Sequence, residues 1–235
     1  MNTAYKLQGI HRHYEWGGNA FIPQLMHVDN AIGKPFAEYW MGAHPSAPAM
    51  VETAEGLMAL DQMIQENKVA FLGAKTAAQF GALPYLFKIL DVEKMLSIQV
   101  HPSKENAEKG FSKEQQAGVP IDATNRNYKD QNHKPEVMVA LSDFWLLHGF
   151  MPAIALKERL SSLAPLQILL PEFGQDDYTG LYSHFMRLDQ TATDKILKPL
   201  LEIAVHEVAV GKVDKTHPHW WANKYYGGIV PSSNI

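Results

Sequence analysis

The spacing of apolar residues divides the chain into two stretches with different patterns. From about Tyr5 to Phe150, short apolar runs are separated by Gly, Pro and Asn, which is typical of strands joined by turns. After Met151 the apolar residues recur three and four positions apart, which predicts helices. We therefore expect a mainly β region at 1–150, a helical subdomain at 151–226, and at 227–235 the start of a returning strand region that is cut short.

Several helix boundaries can be predicted within this pattern. Residues 61–71 and 103–116 carry charges at mixed spacing without strand alternation, so we expect a helix in each. In the second stretch, proline and threonine mark helix starts, because proline suits a first turn and threonine can cap one. The candidate residues are Pro152, Pro218, and either Thr191 or Thr193 for the longest helix.

Composition and charge exclude several classes of partner and ligand. The 235 residues include 21 Lys and Arg against 25 Asp and Glu, so the chain has no basic excess for nucleic acid. No apolar run approaches the length of a membrane span, and the N-terminus lacks a signal core, which predicts a cytoplasmic protein without a membrane partner. There is no Cys, so a metal must be bound by His, carboxylate or amide oxygen. The oligomeric state is not predicted.

A candidate chelating pair lies in the segment 96–102. If this segment is a strand, Ser97, Gln99 and His101 share one face and the apolar residues share the other. A Gln-x-His pair is well spaced to chelate one ion. A polar strand face is, however, more often the solvated side of a sheet.

A second candidate strand, at 132–140, places Lys134 and Glu136 on one face. If it neighbours the first strand, Glu136 would add a carboxylate to the amide and imidazole. Such a mixed nitrogen and oxygen set suits zinc with an open coordination position.

The other aromatic and histidine residues have mostly structural interpretations. Trp16, beside two glycines, is either a packing residue or a wall facing a sugar. The remaining histidines are expected at the surface or in the core, with His217 and His219 as the strongest alternative ligand pair.

Four ordered blocks of the sequence together resemble the type I phosphomannose isomerase family. They are YEWGG at 14–18, AEYWMGAHPSAP at 37–48, LPYLFKILDVEKMLSIQVHPSKENAEKGF at 83–111 and NRNYKDQNHKPEVMVALSDFWLLHGF at 125–150. The resemblance implies a mainly β cupin (jelly roll) with an attached α-helical subdomain. It also implies one Zn2+ ion held by Gln99, His101 and Glu136, with a further histidine from a later segment. That segment and its substrate-binding arginine are absent from this sequence, which predicts a fragment.

The resemblance further implies an isomerase that interconverts mannose 6-phosphate and fructose 6-phosphate. The partner would be a small sugar phosphate, and the metal would stabilise the charge of an enediolate. Lys134 and Lys88 are the implied catalytic cations, and His133 is a candidate base. The implied substrate-binding residues are Trp16, Glu38 and Ser97.

Two rival functions stay open from the sequence. The chain could be a non-catalytic fragment that binds metal or a sugar phosphate. A cupin oxygenase using iron ranks last, because it usually needs a His-x-His pair and a closer Glu.

Overall fold

The structure, a computed structural model, describes residues 4–96 and 99–229. The chain divides into two compact units, residues 1–135 and 136–235, and each is considered by itself. Both sheets and helices occur in the described residues. Over this part of the chain, the helices are all too short or too polar to cross a membrane.

The strands of the first unit form two small antiparallel sheets. In chain order they are β1 (Leu7–Gln8), β2 (Ile10–Arg12), β3 (Glu38–Met41), β4 (Met50–Thr53), β5 (Gly56–Ala59) and β6 (Phe87–Leu90). One sheet has the order β1-β4-β5 and the other β2-β3-β6. In the second sheet, Tyr39 is opposite Ile89 and Trp40 is opposite Lys88. The central strand β3 therefore fixes which side chains of β6 share each face.

The core of the first unit lies on one face of the β2-β3-β6 sheet. Ile22, Phe36 and Tyr39 are buried there and pack against Met41 and Ile89. The Tyr39 hydroxyl accepts a hydrogen bond from the Gly9 amide at 2.7 Å, so the buried polar tip is satisfied.

The helices of the first unit are short except for one. They are α1 (Phe21–Met26), α2 (Leu60–Glu66), α3 (Lys68–Leu72), α4 (Ala74–Phe80) and α5 (Lys104–Gln116). The helix predicted at 103–116 is confirmed as α5, and the Ser103 hydroxyl caps it by accepting from the Asn106 amide. The segment 61–71 is two helices rather than one, because Asn67 ends α2 and caps α3 through the Ala70 amide.

The second unit is helical in its described residues. Its α-helices are α6 (Ala153–Ser162), α7 (Tyr178–Arg187), α8 (Gln190–Ala209) and α9 (Pro218–Tyr226), and its 3-10 helices are Ala164–Leu169, Pro171–Asp176 and Gly227–Ile229. Leu160, Leu169, Phe173 and Ile196 form its buried core.

Helix starts in the second unit agree in part with the sequence prediction. Pro218 is the first residue of α9, as predicted, and Pro152 immediately precedes α6. The predicted cap of the longest helix is wrong. Thr191 and Thr193 lie inside α8, and the Asp189 carboxylate caps it by accepting from the Ala192 amide at 2.8 Å.

Two predicted strand regions contain no strand where the structure describes them. The described structure assigns no strand to 132–140, and Val137 and Val139 are 95% and 76% exposed rather than packed. Residues 227–229 form a 3-10 helix, and 230–235 lie outside the described residues. An alternating sequence alone does not make a strand, because the backbone groups of a strand must hydrogen-bond to a neighbouring strand.

Candidate functional site

A buried carboxylate on β3 is the centre of the first candidate site. Glu38 is 7% exposed and accepts a hydrogen bond from Trp40 Nε1 at 2.5 Å. Lys88 Nζ lies 3.8 Å from Glu38 Oε1. The register of β3 and β6 produces this contact, because Lys88 is opposite Trp40 and Glu38 is two residues from Trp40 on the same face. The structure thus brings together two of the predicted site residues.

His44 contacts Trp40, the residue that donates to this carboxylate. The His44 ring contacts Trp40, with 5.0 Å between ring centroids, and the Arg12 guanidinium lies 4.8 Å from the Trp40 ring centre. Burial lowers the pKa of His44, and the positive charges of Lys134, Arg12 and Lys88 act in the same direction, while Asp130 opposes them. The positive charges of these three side chains therefore all disfavour the protonated form of His44.

Arg12 and His44 were missed by the sequence analysis. His44 lies within the block at 37–48, and Arg12 is two residues before the block at 14–18. The Arg12 contact with Trp40 depends on the pairing of β2 with β3, which the local sequence does not specify.

The predicted chelating pair is close together in space. His101 Nε2 lies 3.5 Å from Gln99 Oε1, and both residues are exposed. Two ligands of a tetrahedral zinc ion are about 3.3 Å apart when each is about 2 Å from the metal. The pair therefore fits one ion, although residues 99–101 are not in a strand.

Four other predicted site residues are exposed or lie outside the described residues. Ser97 lies outside the described residues. His133 and Glu136 are exposed, and Glu136 is the first residue of the second unit, so their roles stay predictions. Lys134 Nζ lies 3.9 Å from Asp130 Oδ2.

Trp16 is held by a tightly packed turn. Its ring stacks on Tyr14 at 5.7 Å, and its carbonyl accepts hydrogen bonds from the Glu93 and Lys94 amides. A Cβ at Gly17 would lie 2.5 Å from the Ala37 backbone, and one at Gly18 would lie 2.3 Å from the Asp91 carboxylate. The half-buried Trp16 ring therefore has a fixed anchor in the first unit.

A second cluster of potential ligands lies in the helical unit. Glu207, His217 and His219 each offer a ligand atom, and these atoms are within 4.8 Å of one another. Hydrogen bonds from Lys212, then from His219, lower the pKa of Glu207 to about 2. Burial lowers the pKa of His217.

The first unit and the residues just after it match a known enzyme family. Residues 4–153 match the model of the phosphomannose isomerase type I catalytic domain. The chain belongs to this family. Its similarity to the family therefore covers the β3 and β6 pair, the Gln99 and His101 pair and Glu136.

Individual relatives of the family are also similar over this region. The mannose-6-phosphate isomerase of Salmonella typhimurium is 47% identical over 146 residues, which are 62% of this chain and 37% of the relative. The Escherichia coli K12 enzyme is 45% identical over the same share. A crystal structure of the Salmonella enzyme bound to fructose 6-phosphate and zinc has a TM-score of 0.77 at 33% identity, over 95% of this chain and 57% of that chain. This chain thus spans well under two thirds of its relatives.

Proposed function

We propose that this chain carries the metal-binding and substrate-binding part of a mannose-6-phosphate isomerase. The reaction would interconvert mannose 6-phosphate and fructose 6-phosphate by moving a proton between C1 and C2. The observation that carries the proposal is the family match over 4–153, which includes Glu38, Lys88 and the Gln99 and His101 pair. We also propose that the strands of this region belong to a cupin jelly roll.

One zinc ion would be held by Gln99 and His101, with Glu136 proposed as a third ligand. The 3.5 Å separation of the first two ligand atoms supports this assignment. When bound, zinc would supply a Lewis acid that stabilises negative charge on the sugar oxygens.

The cations around His44 would bind the anionic parts of the substrate. Lys88 is held by the buried Glu38 carboxylate. The positive charges of Lys134 and Arg12 act on the His44 ring, as that of Lys88 does. Clustered cations in a partly buried site favour a phosphoryl group or the charge of an enediolate. His133 stays a candidate for the base that moves the proton, and Ser97 for a hydrogen bond to the sugar. Trp16 is proposed as an apolar wall for the sugar ring.

A non-catalytic fragment that binds metal or a sugar phosphate is the second candidate. It is favoured by the solvent exposure of Gln99 and His101 in the described structure. Electrostatic stabilisation of a transition state is weaker where water has free access. Such a fragment would bind ligands without measurable turnover.

The decisive experiment measures zinc content and turnover together. The purified chain is assayed for conversion of mannose 6-phosphate in a coupled assay, and its zinc is measured by atomic absorption. We expect Gln99→Ala and His101→Ala to lose one equivalent of zinc and to lower turnover by roughly 100-fold or more, because each removes a ligand. His148→Ala removes an exposed histidine from the block at 125–150 and is the control.

The outcomes separate the two candidates. Unchanged zinc and turnover in both ligand variants would refute the site. Zinc binding through Gln99 and His101 without any turnover would support the non-catalytic fragment. Lys134→Ala should keep its zinc and lower turnover, and a loss of zinc in this variant would instead give Lys134 a structural role.

A further inference from the structure

The Glu207, His217 and His219 cluster lies in the helical unit, outside the segment that matches the family model. We infer that it is a second binding site for a divalent transition metal such as Zn2+. Two imidazoles and one carboxylate are a ligand set used for zinc when one coordination position stays open. The ligand atoms already lie within 4.8 Å of one another.

The connection between α8 and α9 holds the three residues in place. Glu207 is in the last turn of α8, His217 caps α9, and His219 is its second residue. Because the ligands are close in sequence and are carried by two packed helices, little chain entropy is lost when they converge.

Hydrogen bonds order the loop that leads to His217. The Asp214 carbonyl accepts from the His217 amide at 2.9 Å, and the Asp214 carboxylate accepts from the Thr216 amide and hydroxyl. His217 Nδ1 in turn accepts from the His219 amide at 3.2 Å. The imidazoles are therefore presented by an ordered backbone, which lowers the cost of organising a site.

The contact between Glu207 and His219 shows where the ion would bind. Glu207 Oε2 and His219 Nδ1 are 2.5 Å apart, and their side chains are only 14% and 15% exposed. His219 Nδ1 can donate its hydrogen to Glu207 Oε2 in this contact, and a metal ion would replace that hydrogen. Ligands of a tetrahedral zinc ion are about 3.3 Å apart, so the pair must open by about 1 Å, which side-chain rotation can provide.

Lys212 competes with a cation at this cluster. Its Nζ lies 2.5 Å from Glu207 Oε1, on the oxygen that does not contact His219. The Lys212 side chain is 67% exposed, so it can move into solvent when an ion binds. Removing this positive charge should tighten metal binding, because the two cations repel each other.

The plain alternative is an interhelical hydrogen bond that stabilises the unit and binds no ion. The two interpretations differ for Lys212→Ala. In a purely structural cluster, loss of the lysine would weaken the contact or leave it unaffected, with no effect on metal. At a metal site, the same change should raise the affinity roughly 3- to 10-fold.

The test uses the full chain with Gln99→Ala and His101→Ala, so that the first proposed site cannot contribute. Binding of Co2+ is followed by its visible absorption, and binding of Zn2+ by competition with Co2+. We expect one equivalent of Co2+ in this background. Affinity should fall at least tenfold in Glu207→Gln, His217→Ala and His219→Ala. The control is His206→Ala, an exposed histidine beside Glu207, which should bind as the background does.

Two results would overturn the inference. One is the absence of Co2+ binding in the background chain, and the other is unchanged affinity in the three ligand variants. Circular dichroism checks that each variant is folded. If a ligand variant unfolds, Lys212→Ala keeps every ligand and decides the question, because unchanged or weaker affinity there would contradict a metal site. Failure of this site leaves zinc at Gln99 and His101 untouched.

Discussion

The two candidate metal sites use similar side chains but are supported in different ways. Gln99 and His101 lie in an exposed segment without strand pairing, although their ligand atoms are 3.5 Å apart. Glu207 and His219 are largely buried, on two packed helices. The comparison teaches that short sequence spacing can bring ligands together, whereas the rigidity of a site depends on the elements that carry it.

The largest effect should come from the core of the helical unit. Phe173 is fully buried, and it packs with Ile196 of α8, the helix that carries Glu207. Phe173→Ala should destabilise this unit by about 3–5 kcal/mol, because it leaves a cavity. Urea unfolding followed by circular dichroism measures the loss, and Co2+ binding at the cluster should weaken in parallel.

The matched control for this change is Ile168→Ala. Ile168 is 68% exposed and lies in the same 3-10 helix as the buried Leu169. Its removal should change the free energy of unfolding by about 0.5 kcal/mol or less. If both variants lower the free energy of unfolding by the same amount, the burial of Phe173 does not account for the stability of this unit.

A smaller effect is expected from the cap of the helix that carries Glu207. Asp189→Ala removes the acceptor for the Ala192 amide and should cost about 1 kcal/mol of unfolding free energy. Thr191→Ala and Thr193→Ala are the controls, since both threonines lie inside α8. A larger loss from either threonine than from Asp189, measured by thermal unfolding, would contradict the assigned cap.

The smallest effect concerns residues 117–135 of the first unit, which follow α5 and form neither helix nor strand. The Glu114 carboxylate of α5 accepts hydrogen bonds from the Asn127 and Tyr128 amides. These hydrogen bonds lower the pKa of Glu114 below the ordinary value of 4.5, and the bond from Tyr128 has the larger effect. The stabilising effect of Glu114 is therefore present above about pH 4.5 and is lost as the pH falls through the lower, folded-state pKa.

Glu114→Gln should accordingly lower the urea midpoint at pH 7. The difference from the unmodified chain should shrink as the pH falls from 4.5 through the lower, folded-state pKa, below which both side chains are neutral. Gln115 is unsuitable as a control, because its side chain accepts a hydrogen bond from the buried Arg126. Gln116→Ala, at the end of the same helix, serves instead. A difference that stays constant with pH would show that the carboxylate charge has no part in holding the segment.

Local patterns predicted the helices better than the strands. The helix at 103–116 was predicted from charges at mixed spacing, and the helices after Met151 from apolar spacing; both signals involve residues close in sequence. The strand expected at 132–140 is wrong, since pairing partners are distant in sequence and alternation does not provide them. Asp189 was overlooked as a cap because the threonines that follow it are equally plausible acceptors.

The candidate sites were predictable to different degrees. Glu38 and Lys88 were singled out by resemblance, and the register of β3 and β6 gives the physical reason for their contact. His217 and His219 were noted as a pair, but Glu207 was missed. Its approach to them depends on the packing of α8 against α9, which the spacing of His217 and His219 does not reveal.

The glycine pair at positions 17 and 18 has a consequence for comparing relatives of this chain. Both glycines are occluded by neighbouring atoms, so even a methyl group there would push the Trp16 turn away from Ala37 and Asp91. Their presence in a homologue therefore reports on close backbone packing, and it is no evidence by itself that the homologue binds a sugar. Function should be judged instead from the side chains that this turn leaves accessible.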